Sequence, residues 1–423
     1  MLKNYVRIIL TLIILSTALT FAQQQKSILD SLIQTSIQVS PKIRMLKAKR
    51  NAAYSRIDQN SNLPDPVLSL GLRNIPTNSF SFDQDPMTQK AIGLSQMFPF
   101  PGKLSAIEAV AAIDTLIIDQ EINDTENEIR QMVTKQYYNL NYFRRAIFYA
   151  EESKKLLRDI ADVVSVKYSV STASQQNLIK VQLELTRIDE KITEIISKEK
   201  STLSELNAFL LRDAKTDIRT ELIGKIKTVS LNAQELNALA KTNRPLLKGI
   251  QLSEQRAGLK LKVAEREFYP NIRLGVNYSF RQELANSTMG KNDLLSVVLG
   301  ISLPLNYGGK YTAKEEEAIY LQQFHSEQYS SALQFLDGRF GSAIANLESL
   351  EERIKLFEEG LLPQAVQNLN STLASYQVNE VDFINVIDAQ DLLFKIETNL
   401  YKLKTDYLKQ IADLEFLVGT SLQ

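Results

Sequence analysis

The sequence has no cysteine and no tryptophan, and its single histidine is His325. The absence of cysteine excludes a thiol nucleophile, a disulfide framework, a cysteine-based zinc site and a lipid attached to an N-terminal cysteine. One histidine on a predicted helix is expected at the surface and does not make a metal site. We therefore predict that the chain binds no metal and no cofactor.

An excess of charge of one sign is also lacking, since lysine plus arginine and aspartate plus glutamate number 49 each. A chain without a basic surplus does not have the electrostatic footprint of a nucleic-acid-binding protein. No cluster of histidines, no pair of close carboxylates and no glycine-rich phosphate loop converges in the sequence, so we do not expect an enzyme.

Glycine and proline are missing from residues 103–223. In this stretch apolar residues recur at spacings of three and four, which is typical of helices that pack along a coiled-coil seam. β-Branched and hydroxyl residues cluster near 168–174 and interrupt the pattern. We predict a long helix at about 104–167, a turn, and a second helix at about 173–211.

The first 22 residues have the organisation of a secretory signal peptide. Lys3 and Arg7 precede an apolar stretch at 8–15, and Thr20 and Ala22 are small residues at the two positions that signal peptidase reads. The alternative is a membrane-anchor helix, which needs about 20 apolar residues, more than this stretch has. We predict export, with cleavage after Ala22.

The two halves of the sequence resemble each other. Proline and glycine positions return in the same order about 205 residues later, so that Pro41, Pro66 and Gly71 correspond to Pro245, Pro270 and Gly275. We predict a first repeat at 23–211, a linker or equatorial element at 212–231 and a second repeat at 232–423. Each repeat is expected to run helix, strand, loop, strand, long helix, turn, helix.

Four segments of about ten residues alternate apolar with small or polar side chains, which predicts β-strands with one apolar face. They lie at about 66–74, 90–98, 270–281 and 294–304. One interpretation is an ordinary antiparallel sheet on a soluble core. The export signal, the polar connecting loops and the very long helices favour strands of an outer-membrane barrel, whose apolar side faces lipid.

Four strands cannot close a barrel, and open strand edges are excluded from lipid because their backbone groups stay unpaired. Several chains must therefore assemble the barrel, and three chains would supply about twelve strands. The predicted fold is mainly α with a small β part. Duplicated helix–β-hairpin–helix halves form a long helical tunnel and contribute four membrane strands per chain to a trimeric barrel.

The signal peptide, the duplicated halves, the two strands per half and the long helices together resemble the TolC-type outer-membrane efflux channels, over essentially the whole mature chain. The sharpest local match is the segment SQMFPFPGKL at 95–104, which is similar to the CusC- and CzcC-like branch for heavy-metal cation efflux. Pro99 and Pro101 end the strand at this junction, and Gly102 permits a sharp turn into the helix. Gly309 is the corresponding glycine of the second half.

The resemblance implies a homotrimer in the bacterial outer membrane, in contact with lipid, with a helical extension in the periplasm. It also implies two partners, a periplasmic adapter (membrane fusion) protein and an inner-membrane resistance-nodulation-division pump. Such a channel is a passive exit duct without catalytic activity, and the branch predicts heavy-metal cations as the substrate. Two alternatives stay open: a duct for drugs or a secreted protein, and a soluble periplasmic coiled-coil scaffold.

The resemblance also indicates candidate functional residues. In the family, acidic residues that follow the second helix turn form a ring around the closed periplasmic aperture. Asp388 matches one of these acids, and Asn385 stands where the other acid is often found. Asp382 lies one helical turn before Asn385. The two helix turns are expected to contact the adapter through Val170, Ser171, Thr172, Val378, Asn379 and Glu380. The glycine that the family often has in these turns is missing, which leaves their backbone conformation open.

Overall fold

The computed structural model describes residues 27–229, 231–283 and 292–422. The predicted signal peptide at 1–22 and most of the loop between the third and fourth strands lie outside the described residues. The described chain is mainly helical with one small sheet, which confirms the predicted fold class. None of the described helices has a segment long and apolar enough to span a bilayer.

Each half contributes two short helices, a β-hairpin and long helices, in the same order. The elements of the first half are α1 (Ile28–Val39), α2 (Pro41–Ser61), β1 (Val67–Arg73), β2 (Gln89–Phe98), α3 (Lys103–Ser169) and α4 (Gln175–Phe209). Those of the second half are α5 (Ala233–Asn243), α6 (Pro245–Arg266), β3 (Ile272–Arg281), β4 (Leu294–Ile301), α7 (Lys310–Leu356), α8 (Leu362–Gln377) and α9 (Phe383–Val418). A 3₁₀ turn, Tyr307–Gly309, precedes α7.

The long helices determine the dimensions of the molecule. α3 has 67 residues, which at 1.5 Å per residue makes it about 100 Å long. It packs along α2, α4, α6 and α9. Buried residues such as Ile122, Ile129 and Val133 recur along it at spacings of about one or two helical turns, and they pack in the apolar cluster with α1, α2 and α4.

The second long helix is interrupted where the first is not. A π-helical turn, Phe357–Leu361, separates α7 from α8, and Pro363 stands in the first turn of α8. Proline has no N–H group and collides with the carbonyl of the preceding turn, and a π-helical turn accommodates the change without ending the helix. The sequence predicts a kink at Gly360 and Pro363, and the interruption lies there.

The four strands form one antiparallel sheet in the order β1-β2-β3-β4. β2 of the first half pairs with β3 of the second half, so the two hairpins join and leave β1 and β4 as open edges. β4 ends at Ile301, before the predicted limit near 304. Beyond it only one further backbone bond continues, from the N–H of Ser302 to the carbonyl of Asn271 at 2.9 Å.

The large apolar side chains of the sheet are exposed. Leu274 keeps 45% and Val297 keeps 68% of its accessible surface. We call this side the outer face; it includes Leu70, Ile92, Leu274, Val276 and Val297. A soluble sheet of this size would bury such a continuous apolar surface on a core.

The opposite side of the sheet carries mainly small and polar residues on β1, β2 and β3, and it is shielded at the two central strands. Gly275 and Ser279 are buried between exposed apolar neighbours on β3. A methyl group added at Gly93 would lie only 2.1 Å from Asn277 Oδ1 and 2.6 Å from Ser69 Oγ, so side chains of neighbouring strands converge here. We call this side, which carries these five residues, the inner face. The close approach of side chains from neighbouring strands indicates that the inner face is the concave side of a curved sheet.

Three apolar clusters hold the helices together. One lies among α1, α2, α3 and α4 and includes the fully buried Val133 and Leu206. The second lies among α5, α6, α7 and α9 and includes the fully buried Phe340 and Leu414. The third lies at the far ends of the long helices, around Val386. The first two clusters support the middle of the molecule, and the third supports the helix tips.

The linker residues 212–229 form a segment that crosses α3 and α9. Tyrosine hydroxyl groups accept hydrogen bonds from its backbone: Tyr137 from Glu221 at 3.0 Å, Tyr401 from Ile223 at 3.2 Å and Tyr407 from Val229 at 3.3 Å. Burial, together with the hydrogen bond to Glu351, raises the pKa of Tyr407 to about 12. These hydroxyl groups stay protonated at neutral pH and tie both halves of the chain to one segment.

Candidate functional site

The turn between α3 and α4, at 170–174, forms the first tip. The N–H of Thr172 donates to the carbonyl of Lys167 at 2.8 Å, which closes the end of α3. Ser171 takes the left-handed conformation that this closure requires, with φ 58°. Val170, beside it, keeps 63% of its accessible surface. The turn therefore holds its shape through backbone bonds and leaves an apolar side chain in solvent.

The turn between α8 and α9, at 378–382, forms the second tip and repeats this geometry. The N–H of Glu380 donates to the carbonyl of Ser375 at 2.9 Å. Asn379 is left-handed, with φ 65°, and Val378 keeps 65% of its accessible surface. Equivalent positions of the two repeats thus present one valine each at the end of a helix pair.

All six residues predicted to contact an adapter are exposed on these two tips: Val170, Ser171, Thr172, Val378, Asn379 and Glu380. The structure also answers the question that the missing glycines raised. Both tips take the left-handed conformation without glycine, at the cost of backbone strain that asparagine tolerates better than serine.

Glycine at Ser171 should stabilise the first tip by about 0.5 kcal/mol, because it removes the left-handed strain but adds freedom to the unfolded chain. Amide hydrogen exchange at Thr172 measures this locally, and we expect slower exchange in Ser171→Gly. The matched control is Ser169→Gly, at the last helical residue, where glycine should cost about 0.5–1 kcal/mol and speed exchange. Faster exchange in both variants would show that no strain is stored at Ser171.

Lys167 joins the two tips. Its Nζ donates to the carbonyl of Tyr376 at 2.6 Å and to Asn379 Oδ1 at 2.6 Å. It also lies 4.3 Å from the centre of the Tyr376 ring. The carbonyl belongs to the last turns of α8, where a cation is favoured by the helix dipole. Sequence reasoning missed this residue because Ser375 occupies the equivalent position of the second repeat, so the repeat carries no signal for it.

Beneath the tips, the two helix pairs share the third apolar cluster. Val164, Val181 and Val386 are fully buried there, and the rings of Tyr376 and Phe383 are 5.7 Å apart. Burial raises the pKa of the Tyr376 hydroxyl. The tips are therefore one packed unit in which Lys167 supplies the polar contact at the end.

Asp382, Asn385 and Asp388 lie on one exposed face at the start of α9. Asp382 is the N-cap residue, and its carbonyl accepts the N–H of Asn385 at 3.1 Å. The spacing of three puts these side chains along one side of the helix, while Val386 and Ile387 are buried on the other. The face is open in the single chain, and a ring of carboxylates would need symmetry-related copies.

At the strand-to-helix junction of the first half, two separate features require glycine at position 102. Pro99 follows the last residue of β2 directly. Gly102 has φ 82°, and a methyl group there would lie 2.4 Å from the guanidinium of Arg266, whose Nη1 donates to the carbonyl of Pro101 at 2.9 Å. Gly102 thus supplies both a left-handed conformation and close approach. Gly309 has φ 74° with open space around it, so only its conformation favours glycine.

No group of three or more histidine, aspartate or glutamate side chains is placed to hold a metal ion in the part of the chain that the structure describes. His325 lies on α7, where its Nδ1 is 3.0 Å from Gln328 Oε1.

Comparison with known proteins gives a consistent set of relatives. Residues 236–420 match the family described as outer membrane efflux protein. Toxin and drug export protein A of Aggregatibacter actinomycetemcomitans is 28% identical over 207 residues, which span 48% of this chain and only 44% of that protein. Outer membrane protein TolC of Escherichia coli (strain K12) is 21% identical over 412 residues, which span 90% of this chain and 80% of that protein.

The fold is shared over nearly the whole chain. A crystal structure of CusC, whose description names transmembrane channel formation, superposes with a TM-score of 0.78 at 18% identity, covering 93% of this chain and 92% of CusC. Residues 236–420 therefore match the outer membrane efflux protein family, and the fold of nearly the whole chain is similar to that of CusC.

Proposed function

We propose that three copies of this chain form a closed barrel and a tunnel, and that the channel is the passive exit duct of a tripartite efflux system. The observation that carries the proposal is the continuous row of exposed apolar side chains on the outer face of the sheet. Exposed apolar surface costs about 25 cal/mol per Å² in water, whereas the same outer face is stabilised in lipid. The soluble scaffold alternative does not account for this face.

The open edges of the sheet support assembly from several chains. β1 and β4 each pair on one side only, and unpaired backbone groups are not tolerated in the hydrocarbon of a bilayer. Pairing β4 of one copy with β1 of the next satisfies both edges. Three copies of the four-stranded sheet would close a barrel of about twelve strands, which leaves an open lumen.

The tips support a role for protein partners. Val170 and Val378 are exposed apolar residues at equivalent turns, and such residues at the end of a long helical tunnel offer a contact surface for a periplasmic adapter. The adapter would connect the duct to an inner-membrane pump of the resistance-nodulation-division type. The chain itself needs no catalytic residue, since the pump supplies the energy.

The class of substrate that the duct exports is the more specific part of the proposal. The junction segment at 95–104 resembles the heavy-metal branch, and the fold is similar to that of CusC, which favours heavy-metal cations. The name of Toxin and drug export protein A favours drugs or a secreted toxin instead. Metal selection would reside mainly in the pump and the adapter.

The proposal is tested by the conductance of the purified mature protein in planar bilayers, together with its mass in detergent. We expect discrete channels and the mass of three chains. A water-soluble monomer without conductance would instead support the periplasmic scaffold.

Within this proposal Lys167 acts as a latch between the helix pairs. Its contacts with Tyr376 and Asn379 should favour the closed tip by about 1–2 kcal/mol per chain, given that the ammonium is partly exposed. We expect Lys167→Met to raise the fraction of time that single channels are open by about tenfold for each chain in which the Lys167 contacts are lost. The control is Lys155→Met, an exposed lysine on the same helix; equal behaviour of the two variants would show that Lys167 is not a latch.

A further inference from the structure

The four strands carry positive charge only. Among their residues are Arg73, Lys90, Arg273 and Arg281, and none of the four contains an aspartate or a glutamate. The three arginines alternate with outer-face residues, so they lie on the inner face, together with the small side chains of Gly275 and Ser279. Among the described residues no carboxylate forms an ion pair with Arg73 or Arg273.

The arginines lie at both ends of the inner face. Arg73 is paired with Gln89, and Gln89 is paired in turn with Arg281. Adjacent strands are about 4.8 Å apart, so the two arginines lie in one row about 10 Å apart. Arg273 is opposite Met97 near the other end of the sheet, about 26 Å from Arg281 along the strand. Positive charge therefore stands at both ends of this face.

The acid that precedes β4 lies beside Arg281, whose backbone N–H donates to Asp293 Oδ1 at 2.9 Å. Asp293 precedes β4, and its carboxylate accepts a hydrogen bond from the hydroxyl of Tyr278 at 2.7 Å. Tyr278 is an exposed member of the outer-face row of β3. The carboxylate thus bridges Tyr278 and Arg281 at the rim, whereas Arg73 and Arg273 have no ion pair among the described residues.

We propose that Arg73, Arg273 and Arg281 make the barrel section of the duct favour anions over cations. The proposal rests on the proposed function, which turns the inner face into a lumen and brings three sets of these arginines around it. Charged side chains in a narrow lumen concentrate counter-ions and set selectivity. The substrate that crosses this section most readily is then an anionic solute, or a metal held in an anionic complex, and not a free metal cation.

The test is the chloride-to-potassium permeability ratio of purified channels, obtained from reversal potentials in a KCl gradient near 0.1 M, where the Debye length is about 10 Å. We expect the ratio to fall about threefold in Arg73→Gln/Arg281→Gln. The same positions changed to lysine keep the charge and should keep the ratio. Lys90→Gln, which removes a charge from the outer face at the same rim, should leave it unchanged.

A second arm compares the other end of the duct. Asp388→Ala removes negative charge from the tips and should move the ratio toward chloride, opposite to the arginine variants. An unchanged ratio in Arg73→Gln/Arg281→Gln channels of normal trimer mass, or an equal fall in Lys90→Gln, would overturn the inference and leave the exit duct intact. Absence of any wild-type channel would overturn the duct and the inference together.

Discussion

Arginine at Val297 should prevent the protein from assembling in the outer membrane. Val297 lies in the middle of β4, opposite Val276, and keeps 68% of its surface exposed on the outer face. An arginine near the bilayer midplane of a barrel costs about 2–4 kcal/mol, and a trimer would carry this cost three times. We expect the membrane-extracted trimer of Val297→Arg to fall by at least about tenfold, as measured by its yield and its mass in detergent.

The control for this experiment is one residue away. Ser296 precedes Val297 on the same strand and pairs with Asn277 on the inner face. Ser296→Arg introduces the same side chain into the same strand, but into the proposed aqueous lumen, so we expect near-normal trimer yield. Equal yields of the two variants, whether both high or both low, would contradict the assignment of the outer face to lipid.

Lysine at both Val170 and Val378 should abolish export and leave the trimer intact. The two valines are exposed at equivalent positions of the tips, where the proposed adapter contact would bury them. A buried, unpaired ammonium costs several kcal/mol at an interface, and three chains would repeat this cost. Export is measured in cells whose only channel of this type is the variant, beside trimer yield from the same membranes.

Two further variants show whether the loss of export is caused by the added charge and by its position at the tips. Val170→Thr/Val378→Thr keeps the volume and adds no charge, so it should reduce export only in part. Ser201→Lys places a charge on the exposed surface of α4 away from the tips and should leave export unchanged. Wild-type export by Val170→Lys/Val378→Lys would remove the tips from the adapter contact.

Much of the fold could be predicted from the sequence because its signals are local. The stretch at 103–223 without glycine or proline leaves a helix as the only regular structure compatible with apolar spacings of three and four. Strict alternation likewise indicated the strands, and the duplicated positions of glycine and proline fixed the order of the elements. The helix interruption at Phe357–Leu361 was also foreseen in position, because a proline inside a helical pattern has few other outcomes.

The candidate site was less accessible to sequence reasoning. The six tip residues were named from a resemblance, and their exposure agrees with the role, which stays a prediction. Lys167 was missed because its partners, Tyr376 and Asn379, are more than 200 residues away along the chain. Every residue has a backbone carbonyl, so the type of residue at position 376 does not indicate that its carbonyl accepts a hydrogen bond from Lys167.

The sequence by itself determined the long helices, the four alternating strands and the duplication, since each depends on the spacing of neighbouring residues. Only the tertiary structure decided which face of the sheet is exposed, that β2 joins β3, that Lys167 links the tips and that three arginines share the inner face. The physical reason is that alternation assigns residues to one of two faces but does not say what surrounds each face. That depends on strand pairing and curvature, which bring residues from distant parts of the chain together.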